Sequence, residues 1–559
     1  MSRASQFALL LLALGLLLPV EATAEWLGGA ERLAQVAGGV WILKGALVLD
    51  ALLIAAAVRL APRGGTFEAL VPSGLREPRP GGASATWGVG GLLVLATALR
   101  LHALEVGPWY DEIDTWVHYA RRPLGEILTT FDSQNQHLLY SVSARLSILL
   151  LGDGVFALRF PAAVFGVLSV AALWVFARRI TTEREALFAA LLLTVSYHHV
   201  WFSQDARGYT GLLLFTLLGS AAFLGLLAQR EPDGHARLIA YGLCMALAVA
   251  IHATAVLAVA AHALIWLGLL AVRGRRAGPN RWPPLLGFLL AGAFALTAYA
   301  LVLPQFLQTL LAPSMPGAET AWKNPLWLVS ETVTVLAQGL PGRRMTLFLG
   351  LLVGLLGLAS YARQSAWVLA SLLLGALLTG AAMLATGHNL WPRLFFSSAG
   401  FFVLIGIRGF ATWIGLTARA GLQGLQSGLV TLVLTLVCLT SAATLPLAYA
   451  PKQDFAGARD HLLGALGPAD GVVALDMACL PFEALYGFRW ETADNLPDLV
   501  AIERIHSRTW VIYTTPTRLR AALPDVWEHL EREYGVSGTF WGTVHGGEVV
   551  VMVRPPPTD

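Results

Sequence analysis

Two adjacent carboxylates, Asp111 and Glu112, are followed closely by Asp114, His118, Asp132 and His137. A carboxylate pair suits proton transfer: one group takes a proton from an attacking hydroxyl while its neighbour orients a reactant. Other polar segments supply counterparts: Gln204, Asp205, Arg207 and Tyr209 in SQDARGY, His252 at the end of an apolar run, Lys323, and His388 with Arg393 in GHNLWPR. Cations facing a carboxylate pair are what transfer from a lipid-linked phosphate requires, because the leaving phosphate gains negative charge as its bond breaks. Guanidinium suits that task, since its planar fork matches phosphate oxygens.

Each residue also has a plainer use. Arginines at the ends of apolar runs, here Arg159, Arg207 and Arg393, reach out to lipid headgroups. Asp111 and Glu112 suit the first turn of a helix beginning near Ile113. His118, His137, His198, His199 and His252 are individually as well explained by packing or solvation. The functional case rests on the coincidence of these groups on one face.

The elements that must position them are membrane helices. Of 559 residues, 56% are hydrophobic and 13% charged, and many apolar runs reach the roughly 20 residues that cross a bilayer. The net charge of +3 comes from scattered basic residues, which excludes nucleic acid as a partner. Cys244, Cys438 and Cys479 have neither zinc nor disulfide spacing and read as packing residues.

Residues 6–20 read as a signal peptide, with small residues allowing cleavage after Ala24, or as a short first anchor. A run at 40–60 ends at Arg59 and Arg63, and a Pro- and Gly-rich linker with Arg76 and Arg79 fills 61–85. By the positive-inside rule this linker is cytoplasmic, so the helix at 86–104 runs outward and delivers 105–145 to the outer face. Carried along the chain, the same rule gives eleven to thirteen spans and outer loops at 105–156 and 304–344, and returns SQDARGY, His252 and GHNLWPR to that outer face. It requires 137–151, too short to span, to be a juxtamembrane helix. From residue 451 the pattern becomes that of a small soluble α/β domain: a helix at 455–466, a strand at 471–475, a helix near Leu480, a strand at 509–514, a helix at 517–534, and strands at 539–544 and 548–553.

The segments PWYDEIDTW, HLLYSVSARL, GDGVFALRFPAAVFGVLSVAALWVFARR, HHVWFSQDARGYTGLLL and WPRLFFSSAGFFVLIGI, in that order, resemble glycosyltransferase family 39, the membrane-embedded GT-C enzymes that include protein O-mannosyltransferases and aminoarabinose transferases. The resemblance implies a mainly α, polytopic transmembrane GT-C fold over 86–450, preceded by additional membrane segments at 1–85 and followed by a periplasmic α/β domain at 451–559. It implies a polyprenyl-phosphate sugar donor, an acceptor that is a lipid, glycan or protein hydroxyl, inversion at the anomeric carbon, and residence in the bacterial inner membrane. By similarity Asp111 is the general base and Glu112 its orienting neighbour. Arg207, Arg393 and His252 lie at the donor phosphate, with Asp205, Tyr209, His137, Lys323, His388 and Arg159 in support. Metal use stays open, since Asp111, Asp205 and a histidine make a ligand set for a divalent ion. Two other classes compete: a lipid or sugar transporter or flippase, and a non-catalytic binding protein of the same fold. A transporter places charges or helix breaks at mid-membrane and shows an inverted repeat, whereas here the polar residues gather at the outer ends of the runs.

Overall fold

The computed structural model describes residues 2–60, 74–76, 83–228, 234–273, 282–311, 320–418 and 426–555. Most of the linker at 61–85 lies outside them. Among the described residues, nine helices are long and apolar enough to cross a membrane, and eleven if each of two bent helix pairs counts as one span. Adding the shorter apolar helices Ala85–Leu101 and His235–Ile251 gives the upper end of the expected range. The chain is a multi-pass membrane protein, mainly α. Leu138–Leu151 has 14 residues; it is about 21 Å long, against a hydrocarbon core of about 30 Å.

The centre of the bundle is Tyr209–Ala228, apolar all round and buried on nearly every side, as such a helix must be. Leu213, Leu217, Phe223 and Leu224 join Val170, Leu173 and Phe176 of Val155–Ala177 in the largest apolar cluster. The first bent pair, Arg3–Leu17 and Val20–Gly28, turns by 91° at a break containing Pro19, where a ring without an N–H ends the hydrogen-bond ladder. Lys44 of the next helix donates to the carbonyls of Leu16 and Leu18, two of the acceptors left open where the first helix stops.

The second bend, 59° between Glu183–Thr194 and Tyr197–Ser203, leads into SQDARGY. The open carbonyls of Leu193 and Thr194 accept from Arg100, whose guanidinium also meets His199 Nδ1 at 2.7 Å. His199 Nε2 in turn pairs with Ser169 Oγ at 2.8 Å. Arg100 is fully buried, and its bonds replace those the broken helix gives up.

The C-terminal region is built on a five-stranded sheet in the order β2-β1-β3-β5-β4: β1 Asp470–Ala474, β2 Glu491–Thr492, β3 Arg508–Thr514, β4 Gly535–Phe540 and β5 Val549–Arg554. The first three strands are parallel, and β5 is antiparallel to both β3 and β4. Alternate residues feed two cores. Val472, Ala474, Trp510, Ile512 and Val551 pack with Phe455 and Phe482 on one face, and Val473, Val511, Tyr513 and Val550 pack with Leu519 and Leu530 on the other.

Two expectations for this region change. The single helix at 517–534 is two, Pro516–Ala522 and Pro524–Glu533, because Pro524 cannot continue the first. Strand 539–544 shifts to Gly535–Phe540, since Thr543 and Val544 give their amides to the carbonyls of Pro451 and Lys452. A Cβ on Gly542 would lie 2.0 Å from the Lys452 carbonyl oxygen, so this close approach requires glycine. The short β2 and the helix Leu496–Glu503 were not anticipated.

Candidate active site

The helix Tyr110–Thr115 carries the carboxylate pair, and the two members occupy different surroundings. Glu112 is fully buried. Arg159 grips it with two bonds of 2.7 Å, the Ala206 amide donates to it at 2.7 Å, the Trp109 amide at 3.3 Å, and Lys452 Nζ lies 3.4 Å away. Arg159 also donates to the carbonyls of Leu104 and Val106, so the loop entering the helix is pinned from below. Burial by itself would raise the Glu112 pKa, but the charges of Arg159 and then Lys452 hold it well below the usual carboxylate range. With its acceptor capacity occupied by protein donors, Glu112 has no oxygen free to orient a substrate directly, as the resemblance had implied. Its geometry is that of a positioning group.

Asp111, on the next face of the same helix, is partly exposed and lies 3.5 Å from the Arg393 guanidinium. Arg393 is itself flanked by the rings of Trp391 at 4.8 Å and Trp109 at 5.5 Å, which restrict where its charge points. Trp391 is backed by Trp322 at 4.9 Å and Trp327 at 5.4 Å. The loop bearing Lys323 therefore reaches the site through its tryptophans. Lys323 is exposed, and none of the described contacts joins it to Asp111 or Arg393. The same holds for His388, whose Nδ1 pairs with the Thr386 carbonyl at the end of its own helix.

Asp205 and Arg207, from the turn after the second bend, do not bond to each other through their side chains among the described contacts. Asp205 Oδ1 accepts from Trp109 Nε1 at 2.9 Å. Burial, and then the charge of Glu112, pushes its carboxyl up to about 7. Arg207 donates to the Asn135 carbonyl at 2.9 Å, to the Asn135 side-chain oxygen and to Thr115 Oγ1 at 3.4 Å. Asn135 is held in turn by Asp114. His137 and His252 lie 4.9 Å apart between ring centroids, each 5.9 Å from Tyr209. Burial, followed by the charge of Arg207, keeps both imidazoles well below their ordinary pKa, so they are neutral. His137 donates through Nδ1 to the Ile251 carbonyl, which leaves Nε2 as an acceptor.

The structure thus gathers Asp111, Glu112, Asp205, Arg207, Tyr209, His137, His252, Arg159 and Arg393 around one helix and two loops. Four buried polar atoms in this group have no hydrogen-bond partner: Asp111 Oδ2, Asp205 Oδ2, Arg207 Nε and His137 Nε2. Such atoms are costly unless a ligand or solvent meets them. Among the described residues no three His, Cys, Asp or Glu side chains converge as metal ligands, so the trio of Asp111, Asp205 and a histidine is not assembled. Lys452, Asn135 and Trp109 belong to the site and escaped the sequence reading. Lys452 stands in an ordinary polar stretch, PKQD, with no local signal that its ammonium is buried.

Residues 137–314 match the family model described as dolichyl-phosphate-mannose-protein mannosyltransferase. Among solved structures, apo ArnT from Cupriavidus metallidurans aligns with a TM-score of 0.50 at 14% identity, over 85% of this chain and 100% of that one. The chain has the GT-C fold of membrane glycosyltransferases. ArnT bound to undecaprenyl phosphate aligns at TM-score 0.48 and 13% identity, over 85% of this chain and 100% of that one. The GT-C protein AglB from Archaeoglobus fulgidus, an oligosaccharyltransferase in complex with an inhibitory peptide and dolichol-phosphate, aligns at 0.47 and 12%, over 82% and 74%. A search of curated proteins gives no match. The family-model match begins at His137 and covers Asp205, Arg207, Tyr209 and His252, while Asp111 precedes it and Arg393 follows it.

Proposed function

We propose that this chain is an inverting glycosyltransferase of the bacterial inner membrane, which transfers a sugar from a polyprenyl-phosphate donor to an acceptor on the periplasmic face. The acceptor is a lipid, a glycan or a protein hydroxyl. The observation that carries this reading is the partly exposed Asp111–Arg393 pair beside the unpartnered buried atoms of Asp205, Arg207 and His137. Asp111 thus stands 3.5 Å from the Arg393 guanidinium, on the helix whose Thr115 accepts from Arg207, in a region where further polar contacts are wanted. The family description, which names a dolichyl-phosphate sugar, supports the donor class.

In this mechanism Asp111 takes the proton of an acceptor hydroxyl, whose oxygen attacks the anomeric carbon from the face opposite the phosphate. The bond between that carbon and the phosphate oxygen breaks, and its electrons remain on the phosphate. Arg393 and Arg207 meet the growing charge. Neutral His252 contributes a hydrogen bond rather than a charge, because its Nδ1 accepts from the Thr254 amide and its proton then sits on Nε2.

The test is mass spectrometry of lipids, glycans and proteins from three strains: with the gene, without it, and carrying Asp111→Asn. We expect one hexose or pentose adduct to be lost in the second and third strains alike. Indistinguishable profiles across all three would refute the assignment.

A further inference from the structure

Asp111 sits between two residues that are both held by a segment far along the chain. On one side, the Tyr110 amide donates to Gln453 Oε1 at 2.8 Å. On the other, the Glu112 carboxylate lies 3.4 Å from Lys452 Nζ. Lys452 and Gln453 are both buried, and together they bind the catalytic helix at its first turn, where free amides and carboxylates are most easily fixed.

The rest of each side chain is tied down as well. The Lys452 ammonium also donates to the Gln204 carbonyl, next to Asp205, and lies 4.9 Å over the Trp201 ring. Its backbone amide donates to the Gly107 carbonyl at 3.3 Å. Gln453 uses its Nε2 on Thr514 Oγ1 at 2.7 Å and on the Gly547 carbonyl at 2.8 Å. Thr514 ends β3 and Gly547 lies just before β5, so the amide group of one glutamine links the sheet to the residue before Asp111. A second contact runs in parallel, because Ile113 of the catalytic helix is buried in the sheet's own core with Phe455 and Phe482. Trp201 closes the ring by donating to Thr543 Oγ1 at 2.8 Å.

We propose that Lys452 and Gln453 are positioning residues through which the C-terminal sheet sets the place of Asp111. The sheet region is then part of the catalytic apparatus without touching the reacting atoms. Displacement of a base by about 1 Å costs on the order of 100-fold in rate, so a grip on both neighbours of Asp111 has a kinetic consequence that a mere tether lacks. The inference rests on the transfer reading for its kinetic arm only.

The experiment uses the full chain in lipid nanodiscs with Lys452→Met, one atom shorter than lysine, and Gln453→Met, which keeps the length of glutamine. Amide exchange by mass spectrometry is read over 106–116 and over the central span Tyr209–Ala228. We expect exchange at 106–116 to rise about tenfold in each variant with the central span unchanged. In the transfer assay kcat falls about 10- to 100-fold while the donor KM stays near wild type, since Arg207 and Arg393 are untouched. Unchanged exchange at 106–116 overturns the proposal, as does a donor KM that rises in step with the loss of kcat. General loss of protection in both variants overturns it too, because that marks a fold residue. Should Lys452→Met fail to insert, Gln453→Met, which removes no charge, decides. If the wild type transfers no sugar to any acceptor, the functional reading fails, and the exchange measurement alone still judges this one.

Discussion

The carboxylate of Asp111 lies 3.5 Å from the guanidinium of Arg393, at the partly exposed side of a helix whose next residue, Glu112, is fully buried. One ion pair is open to a ligand and the adjacent one, Glu112 with Arg159, is closed. Two neighbouring carboxylates of the same chemistry are thereby separated into a partly exposed group and a fully buried one.

Asp111→Asn keeps the size of the side chain and removes its basicity. Transfer is expected to fall by about 100- to 10,000-fold, with membrane insertion and thermal unfolding close to wild type. Purified protein assayed with a polyprenyl-phosphate sugar measures this, and near-normal turnover would remove Asp111 as the base.

Arg393→Ala takes away the guanidinium between Trp109 and Trp391. Donor affinity should drop by more than acceptor affinity, and Arg393→Lys should recover only part of it, because a point charge lacks the planar fork. Titration of each substrate against the variants tests the difference. Equal losses for donor and acceptor would argue against a phosphate contact.

Arg159→Met leaves Glu112 without its bidentate partner, in a place where the charge cannot reach water. Removing one member of a buried pair costs about 3–5 kcal/mol, so the variant should unfold at a markedly lower temperature. Substituting Glu112→Gln as well should recover part of the loss. A double-mutant cycle of thermal unfolding decides, and strictly additive effects would mean that the pair does not act as a unit.

Asp205 gives a pH dependence. Its carboxyl is raised from 3.8 to about 7 by burial and by Glu112, so between those values the folded state holds a proton that the unfolded chain releases. Stability from this group is greatest at low pH and declines as pH rises through that window. Asp205→Asn, which keeps an oxygen for Trp109, should remove the decline. The difference in Tm between variant and wild type is expected to grow in the variant's favour from pH 4 to pH 7. A difference that stays flat over that range would show that Asp205 titrates normally.

Much of this molecule was readable before folding. The spans follow from runs of apolar residues, a local and additive property, and SQDARGY and GHNLWPR stood out because polar clusters are rare in such a chain. Four of the five C-terminal strands were found by alternation, within a few residues, and the two-residue β2 was too short to show it. Misplaced boundaries came from contacts outside the local window, as when the backbone of Lys452 takes the amide of Val544 and draws the end of β4 away from the sheet.

Asp111 and Glu112 look alike in the sequence, as do Lys323 and Lys452. Sequence alone determined that a membrane bundle presents acids and cations together at the ends of its helices, because hydropathy and motif order are properties of the linear chain. Tertiary structure decided which acid is open and which is closed, that Lys452 rather than Lys323 joins the site, and that Asp111 faces Arg393. Those outcomes depend on burial and on distances of a few ångströms between distant segments, and electrostatic interactions at that range exist only once the chain has closed on itself.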